Sequence, residues 1–166
     1  RKAGTGAYLS SQGNAFTTRT ASQIIQENFN PEEDFRGGGP LFGVQFSQLP
    51  CGDFVRSLAA DTTLGPKGLP LGFSADPGGL PLYKNGVPVG GIGVESDGIY
   101  GADLVITDVD INIEERIATA GALGTTTSFA APANRRAERI SVDGRPFRFA
   151  DDENVRSPSL YSFFFT

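Results

Sequence analysis

The chain has 166 residues, with 14 Lys and Arg against 19 Asp and Glu for a net charge of −5, no His, no Met and a single Cys. That length suits one domain with one core, and the acidic balance repels a phosphate backbone unless basic residues cluster. Without His the chain cannot build a Ser-His-Asp triad or Cys-His dyad, His-ligated zinc or His-ligated haem iron, and without Met it lacks the other common axial haem ligand.

The lone Cys51 cannot form an internal disulfide and so assigns no compartment; it reads as a small buried hydrophobe. No run of 18 apolar residues is present to span a membrane as a helix. The chain opens on Arg1 rather than Met, and the expectation is a mature, cleaved or excised portion of a longer product.

In chain order, "RKAGTGAYLSSQGNAFTTRTASQIIQENF" predicts two helices. Small residues in "AGTGAYLSS" suit close packing, with Gly13 and Asn14 as the C-terminal interruption. The second helix starts near Thr17 or Thr18, places Ala21, Ile24, Ile25 and Phe29 on one face, and stops at Pro31. "NPEEDFRGGGP" is a surface loop, and "LFGVQFSQLP" fits a strand ending at Pro50. From Cys51 to Pro81 the chain is irregular apart from a short helical turn around "DFVRSLAAD".

"PLYK-NG-VPVGGIGV" carries the Asn-Gly signal of a type I′ hairpin between two apolar runs. A dinucleotide loop would need a glycine where Ser96 stands and a helix directly after it. The glycines at 90, 91 and 93 instead read as places where a backbone element or a ligand approaches the strand closely. Leu104 to Ile106 predict a strand. Asn112 with Glu115 forms a capping box for a helix that buries Ile113, Ile117 and Ala120 and ends at Gly121 or Gly124. Asp108, Asp110 and Asn112 resemble the start of a calcium loop, but Ile113 and Thr119 occupy its glycine and glutamate positions, and acidic residues at a helix N-terminus explain them better.

Further on, Arg135, Arg136 and Arg139 read as solvated surface rather than a nucleic-acid footprint. "RISV-DG-RPFRF" predicts a second hairpin, with Pro146 on an edge. The closing "SLYSFFFT" is either an association patch or a cover over the domain's own core.

Three segments together, "GGLPLYKNGVPVGGIGVES" with "EERIATAG", "AYLSSQGNAFTTRTASQIIQENF" and "GGPLFGVQFSQLPCGD", resemble the GlcG/HbpS-like family of haem-binding-protein-like domains. The resemblance runs to about Gly124, dividing the chain into a core at residues 1–124 and an extension with a hairpin at 125–166 that packs on the same domain. It implies an α+β fold, a profilin-like antiparallel sheet with helices packed on it, and an oligomer. An N-terminal helix and hairpin precede these motifs in longer members, so the resemblance implies a missing piece, upstream or as a separate fragment that pairs with this chain. Export signals in longer members imply a periplasmic or extracellular location.

Some members of that family bind haem. The resemblance therefore implies a haem or another flat small molecule held between the helix around Arg19 and the glycine-bearing strand. Arg19 would meet a carboxylate or propionate, Gly91 and Gly93 would permit close approach, and Tyr83 completes the candidate ligand-binding set. Iron would have to use Tyr8, Tyr83, Tyr100 or Cys51 in place of His. Two other classes compete with this binding domain. One is a structural subunit completed by neighbouring chains, with no ligand; the other is an enzyme drawing on Asp53, Asp103 or Glu115 for acid-base work. No catalytic set and no metal-ligand set stands out.

Overall fold

A computed structural model describes residues 1–26, 39–40, 73–99, 101–103 and 105–151. The described residues form an α+β fold of helices and small antiparallel sheets. Helix α1 spans Lys2–Leu9 and α2 spans Thr18–Ile24. Strand β1 (Gly79–Lys84) and strand β2 (Val87–Gly93) form a hairpin, α3 covers Ile113–Leu123, and β3 (Ser141–Val142) pairs with β4 (Arg145–Pro146). No helix among the described residues is long and apolar enough to cross a membrane.

Both predicted hairpins form, for the reason their sequences give. Type I′ turns need left-handed backbone at both central residues. Asn85 and Gly86 sit at φ 53° and 77°, and Asp143 and Gly144 at 50° and 79°. The first hairpin carries a bulge: Leu82 pairs with Gly90 and Tyr83 with Pro88, leaving Val89 without an opposite residue.

The hairpin is covered on both faces. Gly79, Pro81, Gly91 and Gly93 share one face by their pairing, and Leu80 and Ile92 share the other. On the first face lies α1, whose backbone reaches the strand itself. A β-carbon on Gly91 would collide with the Ala3 carbonyl oxygen, and one on Gly93 would meet the Ala3 nitrogen at 2.5 Å. On the second face α3 brings Gly121 against the Ile92 side chain.

Helix α2 is buried on every side, although "TRTASQI" is mostly polar. It is stable there because its side chains take up backbone groups that would otherwise be buried unpaired. Thr17 and Thr20 cap the helix reciprocally, and their hydroxyls donate to the Phe149 and Arg148 carbonyls at 2.6 Å each. Gln23 donates to Pro146 and accepts from the Arg148 N–H, Ser22 donates to the Asp103 carbonyl, and Thr18 accepts from the Gly79 N–H. The apolar core beside it is assembled largely from small residues: half of its twelve buried members are alanine, with Tyr83, Phe147 and Phe149 as the aromatic bulk. With so little apolar volume, polar pairing carries much of the specification of this fold. Thr17→Ala is expected to cost roughly 0.5–2 kcal/mol, the range for a lost N-cap, and urea denaturation would measure it.

Several expectations change. Helix α2 ends at Ile24, capped by Ile25, so the predicted continuation to Phe29 does not occur within the described part. Helix α1 is capped at Ser10 rather than at Gly13 or Asn14. Val105 and Ile106 form no strand; Ile106 is buried in a turn. The largest correction concerns α3. Its buried residues are Glu114, Glu115, Ala118, Thr119 and Ala122, while Ile113, Ile117 and Ala120, predicted to face inward, are exposed. Asn112 does cap the helix through the Glu115 N–H, and Gly124 ends it at φ 61°. The reciprocal half of the capping box is missing because the Glu115 carboxylate is used elsewhere.

Predictions on the strand at 41–49, the helical turn around 53–61 and the Phe-rich terminus lie outside the described residues.

Candidate functional site

The reason α3 faces inward with its charges is that two buried cations wait for them. Glu114 and Glu115 are consecutive, so they leave the helix about 100° apart. One enters a box around Lys2, the other a box around Arg19.

In the first box the Lys2 ammonium, carried by α1, contacts Asp76 and Glu114 directly and Glu95 at 2.9 Å. Asp76 precedes β1 and Glu95 follows β2, so four segments of the chain converge on one nitrogen. Burial works against the Lys2 ammonium, but the Asp76 charge and hydrogen bonds to Asp76, Glu114 and Glu95 outweigh it and hold the group above its ordinary value. Glu114 is also opposed by burial. Its bond from Lys2 and the Ser96 and Asp97 N–H groups prevail, and its carboxyl lies below the usual range. For Asp76 burial wins: the Lys2 charge and a Gly101 N–H offset it only in part, and the carboxyl is pushed up to about 7.

In the second box Arg19, 1% exposed, donates from Nε to Glu115 at 2.8 Å. Its Nη1 meets Asp103 at 2.8 Å, Asp151 at 3.0 Å and Asp110 at 3.1 Å. Arg148 pairs with the other oxygen of Asp151, and the Asp151 N–H closes the circuit on Glu115 at 3.0 Å. Burial opposes the Arg19 guanidinium, yet the Glu115 charge and bonds raise it further, so it stays a cation. Burial raises the Asp103 carboxyl against the pull of Arg19.

In each box three carboxylates bring oxygens within 4.8 Å of one another, a spacing that could hold a metal ion. The chain's own cation occupies that position in both. Among the described residues each box nonetheless holds more carboxylates than cations, one ammonium facing three and two guanidiniums facing four.

The predicted site residues do not converge on one ligand. Arg19 is held by carboxylates of the chain itself. Tyr83 is 2% exposed and donates its hydroxyl to the Ser11 and Asn14 carbonyls at 2.6 and 3.1 Å. Gly91 and Gly93 admit α1. Tyr8 is exposed, and Cys51, Asp53 and Tyr100 lie outside the described residues. Arg19 does gather two of the acid-base candidates, Asp103 and Glu115. Of the calcium-like trio, Asp110 joins Arg19, Asn112 caps α3 and Asp108 is exposed, so the three do not act as one set. Arg139 is exposed as predicted, whereas Arg135 and Arg136 are half-buried. Burial lowers the Arg136 guanidinium, which lies 5.4 Å from the Phe149 ring centre.

Lys2, Asp76, Glu95, Arg148 and Asp151 were missed. The one local signal was the Glu114-Glu115 pair at a helix start between isoleucines. No family model, no curated protein and no solved structure matches this chain.

Proposed function

We propose that this chain is a non-enzymatic GlcG/HbpS-like domain that works as a subunit of a homo-oligomer, held together through the outer face of α3 and the segment before it. The observation that carries this reading is the outward isoleucine stripe. Among the described residues nine large hydrophobics are exposed, and five of them, Val105, Val109, Ile111, Ile113 and Ile117, fall within 13 consecutive positions. Ile111 is 82% exposed, Ile113 64% and Ile117 49%. A concentration of that kind is a liability on an isolated domain and is characteristic of an association surface.

A second copy of the chain suits this surface. Exposed Asp108 and exposed Arg116 both lie within this stretch, so the surface offers opposite charges that a two-fold contact can pair.

The test is the mass in solution, by sedimentation velocity across a concentration series. Ile113→Lys with Ile117→Lys should shift the wild-type oligomer to monomer while leaving the melting curve of the monomer in place, because both side chains are exposed. A wild-type chain that stays monomeric at high concentration would end this reading.

One observation favours a second reading, a small-molecule site at Arg19. Its Nη2 is buried without a hydrogen-bond partner. The surrounding carboxylates disfavour an anion such as a haem propionate and favour a hydroxyl or a water. Native mass spectrometry of the isolated protein separates the readings: a retained ligand-sized adduct supports the site, and a ligand-free assembly supports the subunit.

A further inference from the structure

Among the described residues the Lys2 box has one cation for three carboxylates, in a place where the side chains of Lys2, Asp76, Glu114 and Glu95 are 4, 7, 5 and 23% exposed. Uncompensated charge at that depth is costly, and such a group takes up a proton instead. Hydrogen bonding decides where the proton goes. Glu114 accepts from the Ser96 and Asp97 N–H groups and from the Ser96 hydroxyl, all of which favour its charged form. Asp76 accepts from one N–H, that of Gly101. Beyond the ammonium, neither Asp76 Oδ2 nor Glu95 Oε2 receives a hydrogen bond. A proton on Asp76 Oδ2 would remove one surplus charge at the more deeply buried of the two.

We propose that Asp76 holds a proton and that the box is a proton-linked latch, which fastens α1 to the hairpin and to α3 while the proton is held. The groups facing Asp76 are Lys2 from α1, Glu95 from the end of β2 and Glu114 from the first turn of α3. Losing the proton leaves three carboxylates around one ammonium, and α1, whose lysine is the shared partner of all three, loosens first.

The sign follows from linkage. A carboxyl raised in the fold contributes stability that is complete below its unfolded value, near 4, and lost as pH rises toward its folded one. For Asp76 that window ends near 7. The experiment is carboxyl-carbon NMR of the full wild-type chain from pH 4 to 9 in chelator. Alongside it, amide hydrogen exchange of α1, corrected for intrinsic rate, is read at pH 5.5 and 8.

Asp76 should titrate near neutrality, Glu95→Gln should move that midpoint down by removing the like charge, and α1 protection should fall as pH rises from 5.5 toward the midpoint and level off above it. In Asp76→Asn the pH dependence of α1 protection should vanish. If that variant fails to fold, the wild-type and Glu95→Gln titrations still decide. An Asp76 carboxyl titrating below pH 5, or a midpoint that moves on adding magnesium or calcium, would overturn the latch.

Discussion

Replacing Arg19 by Met is expected to cost about 3–5 kcal/mol at neutral pH, a large share of the roughly 5–15 kcal/mol that a domain of this size has. Arg19 is the only residue that touches all of Asp103, Asp110, Glu115 and Asp151 among the described residues. Removing it leaves Arg148, which reaches Asp151, as the remaining guanidinium in that box. Methionine preserves the volume of the aliphatic stem, so the loss reports uncompensated charge rather than a cavity. Acid should rescue it. Asp103, already raised by burial, loses the pull of Arg19 in the variant and is raised further, so the deficit shrinks as pH falls toward 4 and grows as pH rises. Urea denaturation of both proteins at pH 4.5 and 7.5 checks this, and a deficit of equal size at the two pH values would refute the electrostatic account. Arg19→Lys should recover only part of the loss, since one ammonium cannot present the guanidinium's separate donors to four carboxylates.

Gly91→Ala is the second substitution with a large expected effect, about 1–3 kcal/mol. The added methyl group would occupy the place of the Ala3 carbonyl oxygen, and backbone cannot swing aside as a flexible side chain does. Helix α1 would have to lift from the hairpin, and with it Lys2 from its carboxylates. Gly90→Ala is the control on the adjacent position. A β-carbon there meets nothing within 4 Å, and its melting temperature should stay close to wild type. Equal destabilisation by the two substitutions would show that strand propensity, not the approach of α1, explains the glycines.

These two sites also mark where sequence reading stopped. The α+β class, both Asx-Gly hairpins, the start of α2 near Thr17 or Thr18, the Asn112 cap and a glycine stop at 121 or 124 were legible, because each depends on residues within a few positions of one another. The inward face of α3 was not. Periodicity placed Ile113 and Ile117 inside, as apolar residues usually are, but Lys2 and Arg19 lie 112 and 96 positions from the glutamates they hold. No window on the chain contains both partners. Arg19 was singled out for a carboxylate, and carboxylates surround it; that they belong to the same chain could be learned only from the fold. Gly91 and Gly93 were read as sites of close approach by backbone or ligand, and the structure fills both with helix α1.

The divergence of Glu114 and Glu115 from one helical turn has an evolutionary consequence. A substitution at position 2 is tolerable when 76, 95 and 114 change with it, and one at position 19 when 103, 110, 115 and 151 do. Relatives of this chain should therefore show two separate sets of correlated replacements that meet at adjacent residues of α3. A lineage could exchange one set for apolar residues while keeping the other intact.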